Sequence, residues 1–478
     1  MPGFLEVFGY YDAELKKWNI DYTVQQMISS LMTIGTFLSS LLVGPFSAKF
    51  GRRHGLWAAT VLNFVATSIQ LGTTSKAALY VARLILGISV GWFLTFAQLY
   101  VHEAAPAHLR GISFAVYQVM LSIGSIVGAS VDYGTHTITS RRAYQIPLAI
   151  FFAAPTCQAV LLFFFAPESP RWLMTQRKEA EAEKSLRRLR NSNIDELEFQ
   201  AEFNEIRQST REQLEQNKKA LFLEMWRGTN LRRTLLSIAV VCFHSANGSS
   251  WTNIYTTYFL EIAGVKQPFA YSILVTCTGL IGVLVSFFFV RLIDRRTVLL
   301  VGISACAICQ LVPAVAWTKD PGTESTGKVV VAFIALFTFF YVAYGGEYVN
   351  NQLRAFTFGL ATAMNFLGNW AGTFSAPYFI NPAKFGWGPK YGYIWFATNV
   401  ICVVFTWFFL PETKDRTLEE IHEMFEARLP ARQFKGYVCV GVEGYAAEAM
   451  GKDLAERKGL ALQSTHVEEL PHQENERV

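Results

Sequence analysis

Apolar runs of roughly 20 residues, each long enough to cross a hydrocarbon core about 30 Å thick, alternate with short polar loops along most of this chain. They fall near residues 22 to 47, 55 to 73, 78 to 101, 112 to 131, 144 to 166, 236 to 262, 269 to 290, 297 to 317, 328 to 346, 357 to 380 and 391 to 410. The pattern predicts eleven membrane helices, an odd number. Between the fifth and sixth runs, Pro167 to Thr234 is polar, and its EAEAEKSLRRLRNSNIDELEFQAEFNEIRQ stretch pairs charges at i, i+4. Such a pattern predicts amphipathic helices on a membrane surface. The 67 residues from 412 onward are polar and acid-leaning and read as a solvated, partly disordered tail.

Composition agrees with this pattern: 51% of the 478 residues are hydrophobic and only 17% charged, against about 25% charged in soluble domains. The net charge of +5 is spread over loops with no basic stripe, so nucleic acid is not an expected partner. The seven cysteines sit singly, and Cys306 with Cys309 has no second pair or nearby His, so they read as small hydrophobes with no metal expected. Residues 1 to 20 interrupt their apolar positions with charges, and no secretory signal peptide is legible there. Lys and Arg in the short loops do not separate the two sides of the membrane. The flanking Arg171, Arg177, Lys178, Arg227, Arg232, Arg233, Lys414, Arg416 and Arg428 place the central segment and the tail in the cytoplasm, with the N-terminus outside.

Several features recur at one spacing: Arg52 and Arg296, Glu103 and Glu347, Arg110 and Arg354, Pro167 and Pro411, and Glu168 and Glu412 are each 244 residues apart. Parallel repeats of this kind mark transporters built from two similar halves with a substrate site between them. The second half has six runs and the first five, because shifting 236 to 262 back by 244 lands where the chain starts and no helix is legible. The expectation is a twelve-helix architecture lacking most of its first helix.

Five placed motifs sharpen this reading: GPFSAKFGRR (Gly44 to Arg53), VHEAAPAHLRG (Val101 to Gly111), PESPRWL (Pro167 to Leu173), EYVNNQLRAFTFG (Glu347 to Gly359) and PETKDRTLEEI (Pro411 to Ile421). On these residues the chain resembles the sugar porter family of the major facilitator superfamily from about residue 22 to 426. The resemblance implies an all-α membrane protein with the major facilitator fold, two pseudo-symmetric helical bundles and eleven of the family's twelve helices. Its expected parts are a remnant at 1 to 21, bundles at 22 to 166 and 236 to 411, a cytoplasmic helical linker at 167 to 235 and a cytoplasmic tail at 412 to 478.

In such proteins charge networks latch the cytoplasmic face. The matching residues are Arg52, Arg53, Glu103, Arg110, Glu168, Arg171, Arg295, Arg296, Glu347, Arg354 and Glu412, although simple positive-inside topology also accounts for single arginines. Glu103 and Arg110, like Glu347 and Arg354, stand about two helical turns apart and can pair with the arginine clusters of neighbouring loops. The family's usual loop Asp is Ala48 here, and Arg291 and Asp294 stand where Asp and Gly are expected in the second copy. Arg83 lies inside the 78 to 101 run, where a charge is costly enough to suggest function, and is the expected coupling residue unless it snorkels to an interface. Its family partner is an Asp on the first helix; Asp12 and Asp21 are the candidate stand-ins, and neither lies in a run.

A sugar needs amides and hydroxyls for its own hydroxyls and aromatic faces for its ring. The resemblance and in-span polarity nominate Gln118, His244, Ser245, Ser250, Tyr255, Asn365, Asn369 and Trp370. His244 and Ser245 replace the family's paired Gln, and three roles stay open for His244: sugar ligand, titrating group, or donor to a backbone carbonyl. Asn365 and Asn369, four apart, share a helix face, and Trp370 is either a ring platform or ordinary packing. The ninth run passes from YVAYGG directly into Glu347 without the family's Gly-Pro and Trp, which leaves Tyr341 and Tyr344 as candidate replacements. The expected function is transport of a hexose or α-glucoside-like disaccharide by alternating access, coupled to protons, by a monomer in the plasma membrane with no cofactor. WTNIYTTYFLEIAGV (Trp251 to Val265) looks most like the disaccharide-type fungal porters. The alternative is a sugar sensor or an inactive truncated product. An enzyme would need convergent titratable groups or metal ligands such as HExxH, and the sequence has none.

Overall fold

A computed structural model describes residues 2–12, 17–106, 109–190, 195–219, 226, 228–345, 355–381, 384–412, 423–425 and 427–437. The chain begins with α1 (Pro2–Phe8) and a two-stranded ribbon of β1 (Tyr10–Asp12) and β2 (Lys17–Asn19). The first run of spans is α2 (Tyr22–Phe50), α3 (Arg52–Gly72), α4 (Lys76–Ala104), α5 (Arg110–Thr135), α6 (Arg142–Ile150) and α7 (Ala153–Phe164). The linker holds α8 (Pro170–Thr175), α9 (Glu179–Leu189) and α10 (Glu196–Lys219). The second run is α11 (Gly228–Ala246), α12 (Ser249–Ile262), α13 (Pro268–Leu292), α14 (Arg295–Lys319), α15 (Glu324–Gly345), α16 (Ala355–Ile380) and α17 (Gly392–Phe409). Helices cover all eleven predicted runs, and nine helical segments among the described residues are long and apolar enough to cross a membrane.

The two halves repeat each other. Helix α2 packs on α4 as α13 packs on α15, and α3 packs on α4 as α14 packs on α15. Small residues permit the α2–α4 approach: a Cβ on Gly35 would stand 2.5 Å from the Leu84 carbonyl oxygen, and one on Gly87 would strike Met32 O. Among the described residues the most extensive contacts between the halves are α2 with α16 and α5 with α13, and each is the repeat image of the other.

Three expectations are corrected. Residues 1 to 21 are not helix-free: Phe4 and Phe8 of α1 pack edge-on against Tyr144 of α6, at centroid distances of 5.6 and 6.2 Å. Seven residues of i, i+4 apolar spacing are far too few to register as a span. The amphipathic faces of the linker meet one another: Leu173, Met174, Ala182, Leu186, Phe199, Phe203 and Ile206 form a small core of their own. Its rim is tied by Arg187 to Glu183 and Glu196, Arg190 to Glu202, and Arg207 to Glu179. Hydrogen bonds from Arg187 and Gln200 hold the exposed Glu196 carboxyl down to about 2. Finally, the repeat spacing is 243 at the α3 start, since Gly51 precedes α3 as Asp294 precedes α14, which matches Arg53, and not Arg52, to Arg296.

Residues 1–407 form one compact unit and 408–478 another. In the second, Phe425 and Phe434 meet at 5.3 Å and the Arg432 guanidinium lies 5.5 Å from the Phe408 ring. Most of the predicted tail lies outside the described residues.

Candidate transport site and its latches

The single run predicted at 236 to 262 is broken. Gly248, with φ of +87°, stands in the left-handed region between α11 and α12, and a Cβ there would lie 2.8 Å from the Trp395 ring and 2.9 Å from Trp251 Nε1, so only glycine fits. Asn247 organises the break. Its Oδ1 accepts from Ser249 N at 2.8 Å, its Nδ2 donates to Tyr344 OH, and its carbonyl accepts from Asn399 Nδ2 at 3.2 Å. The neighbouring Ala246 carbonyl accepts from Thr398 Oγ1 at 2.7 Å. Unwound backbone inside a membrane survives only where such partners satisfy it.

Nominated site residues cluster around this break. Ser250 Oγ donates to Asn369 Oδ1, and Ser245, whose hydroxyl donates to Cys242 O at 2.9 Å, lies against Gly368. His244 meets Tyr341 OH, with Nδ1 at 3.1 Å and Nε2 closer still. Tyr255 pairs with Ser29 of α2 and donates to Thr373 O at 3.4 Å. Asn365 Oδ1 is buried with no partner among the described residues, an acceptor free for a ligand hydroxyl. Trp370 stacks on Phe374 at 5.4 Å. Gln118 is half-buried on α5, and no hydrogen bond joins it to these groups among the described residues. Sequence reasoning nominated neither Ser29 nor Asn247; the Asn-Gly pair inside an apolar run was the available signal for the break.

Where α3 begins and α4 ends, next to the linker, the latch has a different construction from the one expected. Arg52 Nη2 pairs with Glu103 Oε1 at 2.8 Å, and the other Glu103 oxygen accepts from Ser169 Oγ. Glu168 forms no arginine ion pair among the described residues. Its carboxylate caps α3, accepting from Arg52 N at 2.9 Å, Arg53 N at 3.1 Å and Ser169 N at 3.0 Å, with His54 Nδ1 at 3.5 Å. Arg53 instead donates to Leu162 O at 3.1 Å. Ala48, where the family carries Asp, contributes its carbonyl, which accepts from Trp172 Nε1 at 3.2 Å and Gln176 Nε2 at 3.0 Å. Arg190 Nη1 donates to Ala104 O at 2.9 Å and so caps the end of α4.

In the second half, Arg296 donates to Trp407 O at 2.5 Å and sits 5.7 Å from its ring. Arg295 heads α14, and Glu412 follows α17. Arg171 Nε is buried with no partner among the described residues. Glu347 and Arg354 lie outside the described residues, as does the side chain of Arg110. Arg83 Nε is also buried with no partner among the described residues, and the candidate stand-in Asp21 caps α2 instead, accepting from Thr23 N at 3.2 Å.

The family model described as sugar (and other) transporter matches residues 4–425. The chain belongs to that family, the sugar porters of the major facilitator superfamily. It is a transporter family and not an enzyme family. Over 95% of this chain and 87% of the relative, it is 28% identical to the major facilitator-type transporter ecdD of Aspergillus rugulosus. It is 27% identical to the putative hexose transporter 12 of Saccharomyces cerevisiae, over 86% of this chain and 93% of that one. It is 29% identical to the high glucose sensor RGT2 of the same yeast over 84% of this chain, but spans only 55% of the sensor. Among solved structures, the partially occluded inward-open xylose transporter XylE of E. coli superposes with a TM-score of 0.69 at 20% identity, covering 87% of this chain and 94% of that one. That likeness gives the fold: two repeated helical bundles.

Proposed function

We propose that this chain carries a sugar, either a hexose or an α-glucoside-like disaccharide, across the plasma membrane as a monomer by alternating access, in symport with protons. The moving parts are the bundles at 22 to 166 and 236 to 411, with the linker at 167 to 235 and the tail at 412 to 478 in the cytoplasm. The observation that carries this reading is the broken mid-membrane helix with Ser250, Asn369, Tyr255 and the unpartnered Asn365 Oδ1 beside it, a set of hydroxyl and amide groups flanked by aromatic rings. Hexose is supported by the yeast hexose transporter, and symport by solved structures of a proton:xylose symporter with the same fold. Gln118, His244, Ser245 and Trp370 complete the proposed sugar site, and Arg83 is the proposed coupling cation.

The test is uptake of labelled glucose and maltose in cells lacking their own sugar carriers, with and without a protonophore. Saturable uptake abolished by the protonophore supports symport, and saturable uptake indifferent to it indicates a facilitator. A second reading, a sensor that binds sugar without moving it, is favoured by the likeness to the glucose sensor. It predicts surface-located protein, sugar-dependent signalling and no uptake.

A further inference from the structure

Symport requires a group that gains and loses a proton within the membrane. Arg83 cannot be that group, because a guanidinium stays protonated in proteins. The remaining acids lie elsewhere: Glu103 is engaged by Arg52 and Ser169, Asp21 caps α2, and Asp132, Glu261 and Glu324 stand in terminal turns of α5, α12 and α15. Counting α11 and α12 as one broken span, His244 and Arg83 are, among the described residues and apart from tyrosines and cysteines, the only ionisable side chains at least seven residues from a span end.

The elements around His244 bring polar but uncharged groups. Beside the break, Asn369 of α16 pairs with Ser250, and Thr398 and Asn399 of α17 donate to the Ala246 and Asn247 carbonyls, while Tyr341 of α15 and Ser249 of α12 hydrogen-bond His244 itself. These close a ring. Tyr341 OH meets the imidazole, lies within hydrogen-bonding reach of Ser249, and Ser249 Oγ donates at 2.8 Å to the carbonyl of His244.

We propose that His244 binds and releases the coupled proton, a role that rests on the symport reading above. With the imidazole neutral, Tyr341 donates its hydroxyl proton to the unprotonated ring nitrogen. When a proton arrives from water, that nitrogen becomes a donor and Tyr341 turns to accept from it, directing its own O–H at Ser249. Ser249 continues to donate to the His244 carbonyl. One proton is added and one hydrogen bond reverses, with Tyr341 OH facing both ring nitrogens. Among these groups only the imidazole can take up and give back a proton, since the hydroxyl and amide groups around it stay neutral. Ser249 and Ser250 adjoin on α12, so the protonated and neutral ring present different geometry to the sugar partners Ser250 and Asn369. Tyr341 is a positioning residue.

The test measures sugar entry and sugar-induced alkalinisation of a lightly buffered suspension in the same carrier-less cells, for the wild type, His244→Gln, His244→Asn and Tyr341→Phe, with surface protein quantified. Because His244 also lines the proposed sugar site, the proposal expects the histidine variants to admit labelled sugar with a raised KM, and to lose both the alkalinisation per sugar admitted and the protonophore sensitivity. It expects Tyr341→Phe to keep alkalinisation but shift the pH profile of uptake. Undiminished alkalinisation per sugar in a histidine variant overturns it. Sugar entry without alkalinisation in the wild type also overturns it and leaves sugar transport standing. Surface-located wild type that takes up no sugar overturns both.

Discussion

The linker face and the opposite face of the membrane unit are held by different chemistry. At the linker face the bonds are charge-assisted and stay within one half: Arg52 with Glu103, and Glu168 with the first amides of α3. At the far face the bonds are neutral and cross between halves. Gln26 Nε2 donates to Phe374 O at 2.6 Å, Ser29 meets Tyr255, and Tyr22 meets Tyr378 ring to ring at 6.5 Å. A neutral hydrogen bond nets about 0.5–1.5 kcal/mol and bonds to charged groups about 1.5–3. Under the proposed alternating access, the contacts that open in each cycle are weak and the contacts that keep a half rigid are strong.

Mutations that separate rigidity from switching probe this contrast most sharply. Glu103→Ala strands the Arg52 guanidinium, whose side chain is only 14% exposed, and removing one partner of a buried pair costs about 3–5 kcal/mol. The expected outcome is a large drop in melting temperature in detergent and loss of surface delivery; an unchanged melt would break the contrast. Glu168→Gln weakens the α3 cap, with an expected cost of about 1–3 kcal/mol on the same melt. At the far face, Gln26→Ala should leave the melt intact but favour the open far face by roughly 2- to 10-fold, the equivalent of one neutral hydrogen bond. Thiol labelling of a cysteine at Ser29 reads that shift, and equal labelling in both backgrounds contradicts it.

The smallest effect is in the linker. Glu196 is held down to about 2 by Arg187 and Gln200, so its contribution is present above the ordinary value of 4.5 and lost as pH falls through about 2. Between pH 5 and 8 Glu196→Gln should change linker stability by the same small amount at every pH, and a pH-dependent difference there, read by melting or hydrogen exchange, would contradict the pairing.

Much of this fold was legible because apolar length is a strong signal: all eleven runs are helices. The break at Gly248 was not, since α11 and α12 together read as one run and a single left-handed residue leaves hydropathy unchanged. The latch residues Arg52 and Glu103 were legible as a charge pair. That Glu168 caps α3 was not legible, because sequence shows charges but not helix ends, and a carboxylate beside arginines can equally accept from backbone amides. Tyr341 was raised as a replacement aromatic; that it would meet His244 was invisible, because the two stand 97 residues apart on different helices. Gln118, nominated by the resemblance and by its polarity inside a span, forms no hydrogen bond with the cluster among the described residues.

The most direct test of the account joins the far face covalently. Gln26→Cys with Phe374→Cys, bridged by a reducible bis-thiol cross-linker in surface-located protein, should lose saturable sugar uptake and regain it on reduction. Undiminished uptake through a fully cross-linked pair would show that the halves need not part there, and would contradict alternating access across this contact.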